Sequence, residues 1–80
     1  MKAKIYITPR QGVLDPQGKA IEGSLHSLGY KEAGEVHMGK YLTIELKGLT
    51  PGEAEIRVKE MCEKLLANLI VEDYRFEIEE

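Results

Sequence analysis

The sequence holds one cysteine, Cys62, so no disulfide can form within the chain. That usage fits a reducing, cytoplasmic setting. No apolar run approaches the roughly 18 to 20 residues a membrane span needs. The opening M-K-A-K-I-Y-I reads as a strand, so no signal peptide is expected. A basic patch is also missing. The net charge is −3 and the pI near 5.4, with lysines and arginines scattered and most of them near a Glu. That pattern argues against nucleic acid and against an anionic membrane as partners.

The groups that carry chemistry are equally sparse. His26 and His37 stand eleven residues apart on different elements, with no second His or Cys to complete a metal set. G-K-A at 18–20 and G-K-Y at 39–41 lack the upstream glycine and the downstream Ser or Thr of a phosphate-binding loop. Cys62 sits among Val58, Met61, Leu65 and Leu66, the setting of a small buried hydrophobe. Its neighbours Glu60 and Glu63 offer neither a base of the needed kind nor an electropositive field. No catalytic, cofactor-binding or metal-binding residue is therefore expected.

What is present describes a small α+β protein. Eighty residues, 42% hydrophobic and 31% charged, make one domain over 1–80 with an ordinary globular composition. Such a chain has little interior for a deep catalytic pocket. It favours a binding or assembly role, or a site shared between subunits.

Residues 2–8 alternate, with Ala3, Ile5 and Ile7 on one side and Lys2, Lys4, Tyr6 and Thr8 on the other. This is a half-buried strand, ended by Pro9. Asp15 as N-cap, Pro16 at the first helical position, the stripe Ile21, Leu25 and Leu28, and Gly29 as the stop predict a helix over about 16–28. Residues 35–47 alternate again and predict a long middle strand bent at Gly39, with a hairpin there as the alternative. Lys40 falls on the apolar parity, so it is expected to lie at an edge, to snorkel or to mark a bulge.

Thr50, Pro51 and Glu53 spell a capping box. Ala54, Val58, Met61, Cys62, Leu65 and Leu66 form the apolar stripe of the second helix, and Leu65 is expected in the core. Leu69–Ile78 is the last strand, with Tyr74, Phe76 and Ile78 on one face.

The predicted fold is a two-layer α+β sandwich, β-α-β-α-β, with both helices on one sheet face. It becomes ferredoxin-like if the middle strand folds at Gly39. The opposite sheet face carries Tyr6, Thr8, Tyr41 and Thr43 among charges. Tyrosine is enriched at interfaces, so these four are the candidate subunit interface. A solvated face is the alternative.

Three stretches resemble a specific family: V-L-D-P-Q-G-K-A-I-E-G-S-L-H-S-L-G-Y at 13–30, G-K-Y-L-T-I-E-L at 39–46, and M-C-E-K-L-L-A-N at 61–68 followed by I-V-E-D-Y at 70–74. In this order and at this length they resemble the PurS family, the small subunit of phosphoribosylformylglycinamidine synthase. Leu69 departs from the proline often found there, which bears only on the local turn. The resemblance implies a non-catalytic subunit in purine biosynthesis. It implies two partners, an ATP-dependent synthetase (large) subunit and a glutaminase subunit, with self-association as a dimer or tetramer. ATP and Mg would then be used by the synthetase partner and none bound by this chain. The competing reading is a small-molecule-binding regulatory α+β module, with the connector at Gly12 as its loop.

Overall fold

The computed structural model describes all residues, 1–80. Its elements are β1 (Lys2–Pro9), α1 (Pro16–Ser27), β2 (Lys40–Glu45), α2 (Pro51–Met61), a π-helical turn (Cys62–Leu66) and β3 (Glu72–Glu79). The sheet has the order β2-β1-β3, with β1 antiparallel to both neighbours. The α+β class and the element order are those expected from the sequence.

β1 is the central strand and carries the most deeply buried side chains of the sheet. Ala3, Ile5 and Ile7 are fully buried on the inner face, where Ala54 and Val58 of α2 and Cys62 of the turn after it join them in one core. α2 starts as its capping box dictates. The Thr50 hydroxyl accepts from the Glu53 amide at 3.2 Å, and the Glu53 carboxylate accepts from the Thr50 amide at 3.0 Å. α1 stops in a Schellman arrangement. Gly29, at φ 101°, donates to the His26 carbonyl, and Tyr30 donates to the Leu25 carbonyl at 2.9 Å.

Four local expectations change. First, Leu65 is not in the core but 82% exposed. The Ala67 amide donates to the Cys62 carbonyl, an i→i+5 bond at 2.9 Å, and the widened turn rotates Leu65 outward. Ala67 fills the core position instead, at 7% exposure.

Second, regular pairing of the middle strand is confined to Lys40–Glu45, and no hairpin forms at Gly39. The preceding residues leave the sheet because the Met38 amide donates to the Asp15 carboxylate at 2.8 Å. Gly39 itself lies so close to β1 that a Cβ would sit 2.6 Å from the Ile7 carbonyl oxygen. Of the places open to it by parity, Lys40 takes the edge strand, with its ammonium 3.6 Å from Glu72.

Third, residues 69–71 form a turn and β3 begins at Glu72. Asn68 organises the turn: its side-chain oxygen accepts from Ile70 and its carbonyl accepts from Val71 and Glu72.

Fourth, α2 covers the inner sheet face, whereas α1 stands apart from it and buries only Gly18. The chain is consequently long, 50 × 25 × 14 Å, with a radius of gyration of 16.1 Å. A compact 80-residue chain would have about 12 Å.

Candidate functional site: the outer sheet face

The two ladders set what stands beside what on the face away from α2. Tyr6 is opposite Tyr41 on one side and Arg75 on the other. The tyrosine rings lie 5.0 Å apart and tilted by 36°, within the range of favourable aromatic pairing. The Arg75 guanidinium lies 3.9 Å from the centre of the Tyr6 ring, a cation–π contact. Tyr41 stays 56% exposed, so this cluster presents one aromatic ring to the outside.

The neighbouring rows are charged and paired. Lys4 is opposite Thr43 and Glu77, and Lys2 is opposite Glu45 and Glu79. The Lys4 ammonium reaches Glu79 diagonally at 2.6 Å. That hydrogen bond, with the accompanying charge, raises the Lys4 pKa and lowers that of Glu79. Thr8 lies beyond the aromatic row, opposite Asp73.

The structure thus gathers Tyr6 and Tyr41 into direct contact. Thr43 is one row along, and Thr8 sits at the far end of the same face. Arg75 is the member of the cluster that sequence reasoning did not single out. Its parity on the last strand was legible, but its place over Tyr6 depends on the β1–β3 register.

The remaining reactive groups have structural partners. Cys62 is fully buried, and burial, followed by the nearby Glu63 carboxylate, pushes its thiol pKa up, away from the nucleophilic form. His26 Nε2 lies 2.7 Å from the Ala33 carbonyl and, as its donor, ties the end of α1 to the next loop. His37 is exposed, with Glu35 at 3.3 Å and Asp15 at 3.8 Å. The Tyr74 hydroxyl donates to Glu63 at 2.7 Å, which pushes its pKa up to about 12. No group of three His, Cys, Asp or Glu side chains could hold a metal ion. The connector at Gly12 borders two open depressions, one of about 290 Å³ toward Val13 and Leu14 and one of about 630 Å³ toward Arg10 and Asp73, with Glu35 and His37 along both. Small-molecule sites are usually clefts that enclose most of the ligand, whereas both depressions are open to solvent.

The chain matches a known family along nearly its whole length. Residues 2–80 fit the family described as PurS, phosphoribosylformylglycinamidine (FGAM) synthase. The chain belongs to the PurS family. It is 47% identical over 79 residues to the PurS subunit of phosphoribosylformylglycinamidine synthase from Bacillus subtilis, covering 99% of this chain and 93% of that one. It is 37% identical over 78 residues to the PurS subunit from Methanocaldococcus jannaschii, covering 98% and 94%.

Solved PurS structures have the same fold. The Bacillus subtilis PurS structure superimposes with a TM-score of 0.89, covering 99% of this chain and 98% of that one. A chain of the PurLQS structure from Thermotoga maritima, 32% identical, does so with a TM-score of 0.85, covering 95% and 93%. PurS chains are subunits of a synthase of purine biosynthesis. No helix of this PurS chain is long and apolar enough to cross a membrane.

Proposed function

We propose that this PurS chain is a non-catalytic bridging subunit of phosphoribosylformylglycinamidine synthase. It couples a glutaminase subunit to the ATP-dependent synthetase subunit that converts formylglycinamide ribonucleotide to formylglycinamidine ribonucleotide. The observation that carries this reading is the likeness, along most of both chains, to a chain of the PurLQS assembly. The residues agree with it. The one thiol is packed in the core, and the histidines hold loop contacts at the surface.

Coupling has a physical rationale. Ammonia released into water would be protonated or lost, so two active sites that share it must be held together. On this reading the synthetase partner uses ATP and Mg, and this chain binds neither. The role belongs in the cytoplasm. The chain also self-associates, as a dimer or tetramer. The outer sheet face of Tyr6, Thr8, Tyr41 and Thr43 is the candidate contact.

Reconstitution tests the proposal. Synthetase and glutaminase without this chain should give little glutamine-driven product, while activity with added ammonia should fall less. Adding the chain should restore coupling in proportion to complex formed. The Cys62→Ala variant should restore it equally, provided that it folds. Full glutamine-dependent turnover without the chain would sink the proposal.

A further inference from the structure

The π-helical turn after α2 decides between two neighbouring leucines. At about 100° per residue, an unbroken α-helix would carry Leu65 between Ala54 and Val58, in the middle of the buried face. The bond from the Ala67 amide to the Cys62 carbonyl instead takes one more residue into that turn. Every later position is set back by about one residue's rotation. Leu66 therefore stands where an α-helix would put Leu65. It packs half-buried against the core, with Ala67 buried beside it in sequence and Leu65 exposed.

Because positions 65 and 66 hold the same residue, either register delivers a leucine to the core face. The apolar pattern of the helix does not choose between them. The choice falls to whatever holds the chain beyond the turn.

That hold is a clamp on Asn68. Its amide donates to one oxygen of the Glu72 carboxylate at 2.7 Å. Its carbonyl accepts from the Val71 and Glu72 amides at 3.0 and 2.7 Å. The other oxygen of Glu72 lies 3.6 Å from the Lys40 ammonium, so the clamp is braced from β2, on the far side of β1. The near end of the turn is fixed by Glu63, which accepts from the Tyr74 hydroxyl. Tightening the turn to α would advance Asn68 by about one residue's rotation. That would carry it away from Glu72 and lift Ala67 out of the core.

We propose that residues 62–67 are a two-register switch set by the Asn68–Glu72 clamp. With the clamp closed the turn is wide. Leu66 and Ala67 face the core, and Leu65 is offered to solvent, followed in the chain by the exposed Leu69 and Ile70. With the clamp open the helix runs on as α, Leu65 enters the core and Leu66 moves to its rim. The chain can thus show or withdraw one apolar side chain without altering its sheet. Anything that binds one register better shifts the population toward it.

Methyl-labelled protein with a soluble paramagnetic agent reads which leucine faces solvent. In the wild-type chain the Leu65 methyl signals should broaden strongly and those of Leu66 weakly. Glu72→Ala should reverse that order, with the broadening at Leu65 falling several-fold. Glu72→Gln, which keeps an accepting oxygen, should resemble wild type. Amide protection in β1 certifies that each variant is folded. Where Glu72→Ala fails that check, Leu66→Ala, which removes the leucine of the wide register, should withdraw Leu65 in the same way. Adding Leu65→Ala to the folded variant should then lower the urea midpoint by more than Leu65→Ala does in wild type. Leu65 shielded already in wild type, or still exposed in the folded variant, overturns the switch. So do additive midpoints, or loss of folding in both variants, since the α register would then be no stable alternative.

Discussion

Asp15 and Met38, twenty-three residues apart, are joined by a hydrogen bond of 2.8 Å from the Met38 amide to the Asp15 carboxylate. The same carboxylate caps α1 through Gly18. One side chain thus starts a helix and ends the irregular run before β2. The Gly18 amide, then the Met38 amide, hold the Asp15 pKa below the usual 3.8. The folded-state value is depressed, so the stabilisation is present above the unfolded value and is lost as pH falls through the folded one. As pH falls through that depressed value, the Met38 amide should lose protection relative to its intrinsic exchange rate at the same pH, while amides of β1 stay protected. Asp15→Asn should give fast exchange at Met38 at neutral pH. Protection of Met38 that persists until the whole chain unfolds in acid would contradict this.

Gly18→Ala should destabilise the protein, although alanine is the better helix former by about 1 kcal/mol. The added methyl would collide with the Val36 carbonyl oxygen and crowd Asp15. The backbone of two elements would have to separate. Gly23→Ala, with open space around its Cβ position, should stabilise. Urea denaturation of the two variants should show midpoints that move in opposite directions.

Leu65→Ala should change stability by no more than about 0.5 kcal/mol in the isolated chain, as for an ordinary surface substitution. Ile5→Ala should cost about 2–5 kcal/mol, because Ile5 is fully buried at the centre of the sheet. Chemical denaturation distinguishes the two. A large loss at Leu65 would mean that the wide turn at Cys62–Leu66 is not populated in solution.

Tyr41→Glu should shift the assembly toward smaller species, since it sets a charge on the exposed ring position of the outer face. Tyr6→Phe should have little effect on assembly, because Tyr6 is engaged through its ring with Tyr41 and Arg75. Sedimentation at micromolar concentration reads both. An unchanged mass for Tyr41→Glu would clear that face of an assembly role.

Much of this was legible in the residues. Asp15-Pro16, Gly29 and Thr50-Pro51-x-Glu53 are local signals, and each produced its cap where it stands. The strict alternation of β1 gave its buried side. The rest depends on partners far along the chain. The turn at Cys62–Leu66 continues a helical pattern in sequence; only the fit of Ala67 into the core rotates Leu65 away. The short β2 follows from Asp15 drawing Met38 aside, a contact that no window of sequence spans. Of the outer face, the tyrosine pair could be guessed from parity. Arg75 over Tyr6 needed the register.

The two helix caps lie at opposite ends of the sheet. Thr50 follows Leu46, whose amide binds the Met1 carbonyl at the start of β1, and Asp15 lies beyond its end at Pro9. The eight residues of β1 span about 25 Å. No side chain is shared between the two caps. Substitutions at such a distance act independently, so losses from Asp15 and Thr50 variants should add in the double variant. The energetic cost of a change at one end of the sheet is therefore the same whatever residue stands at the other.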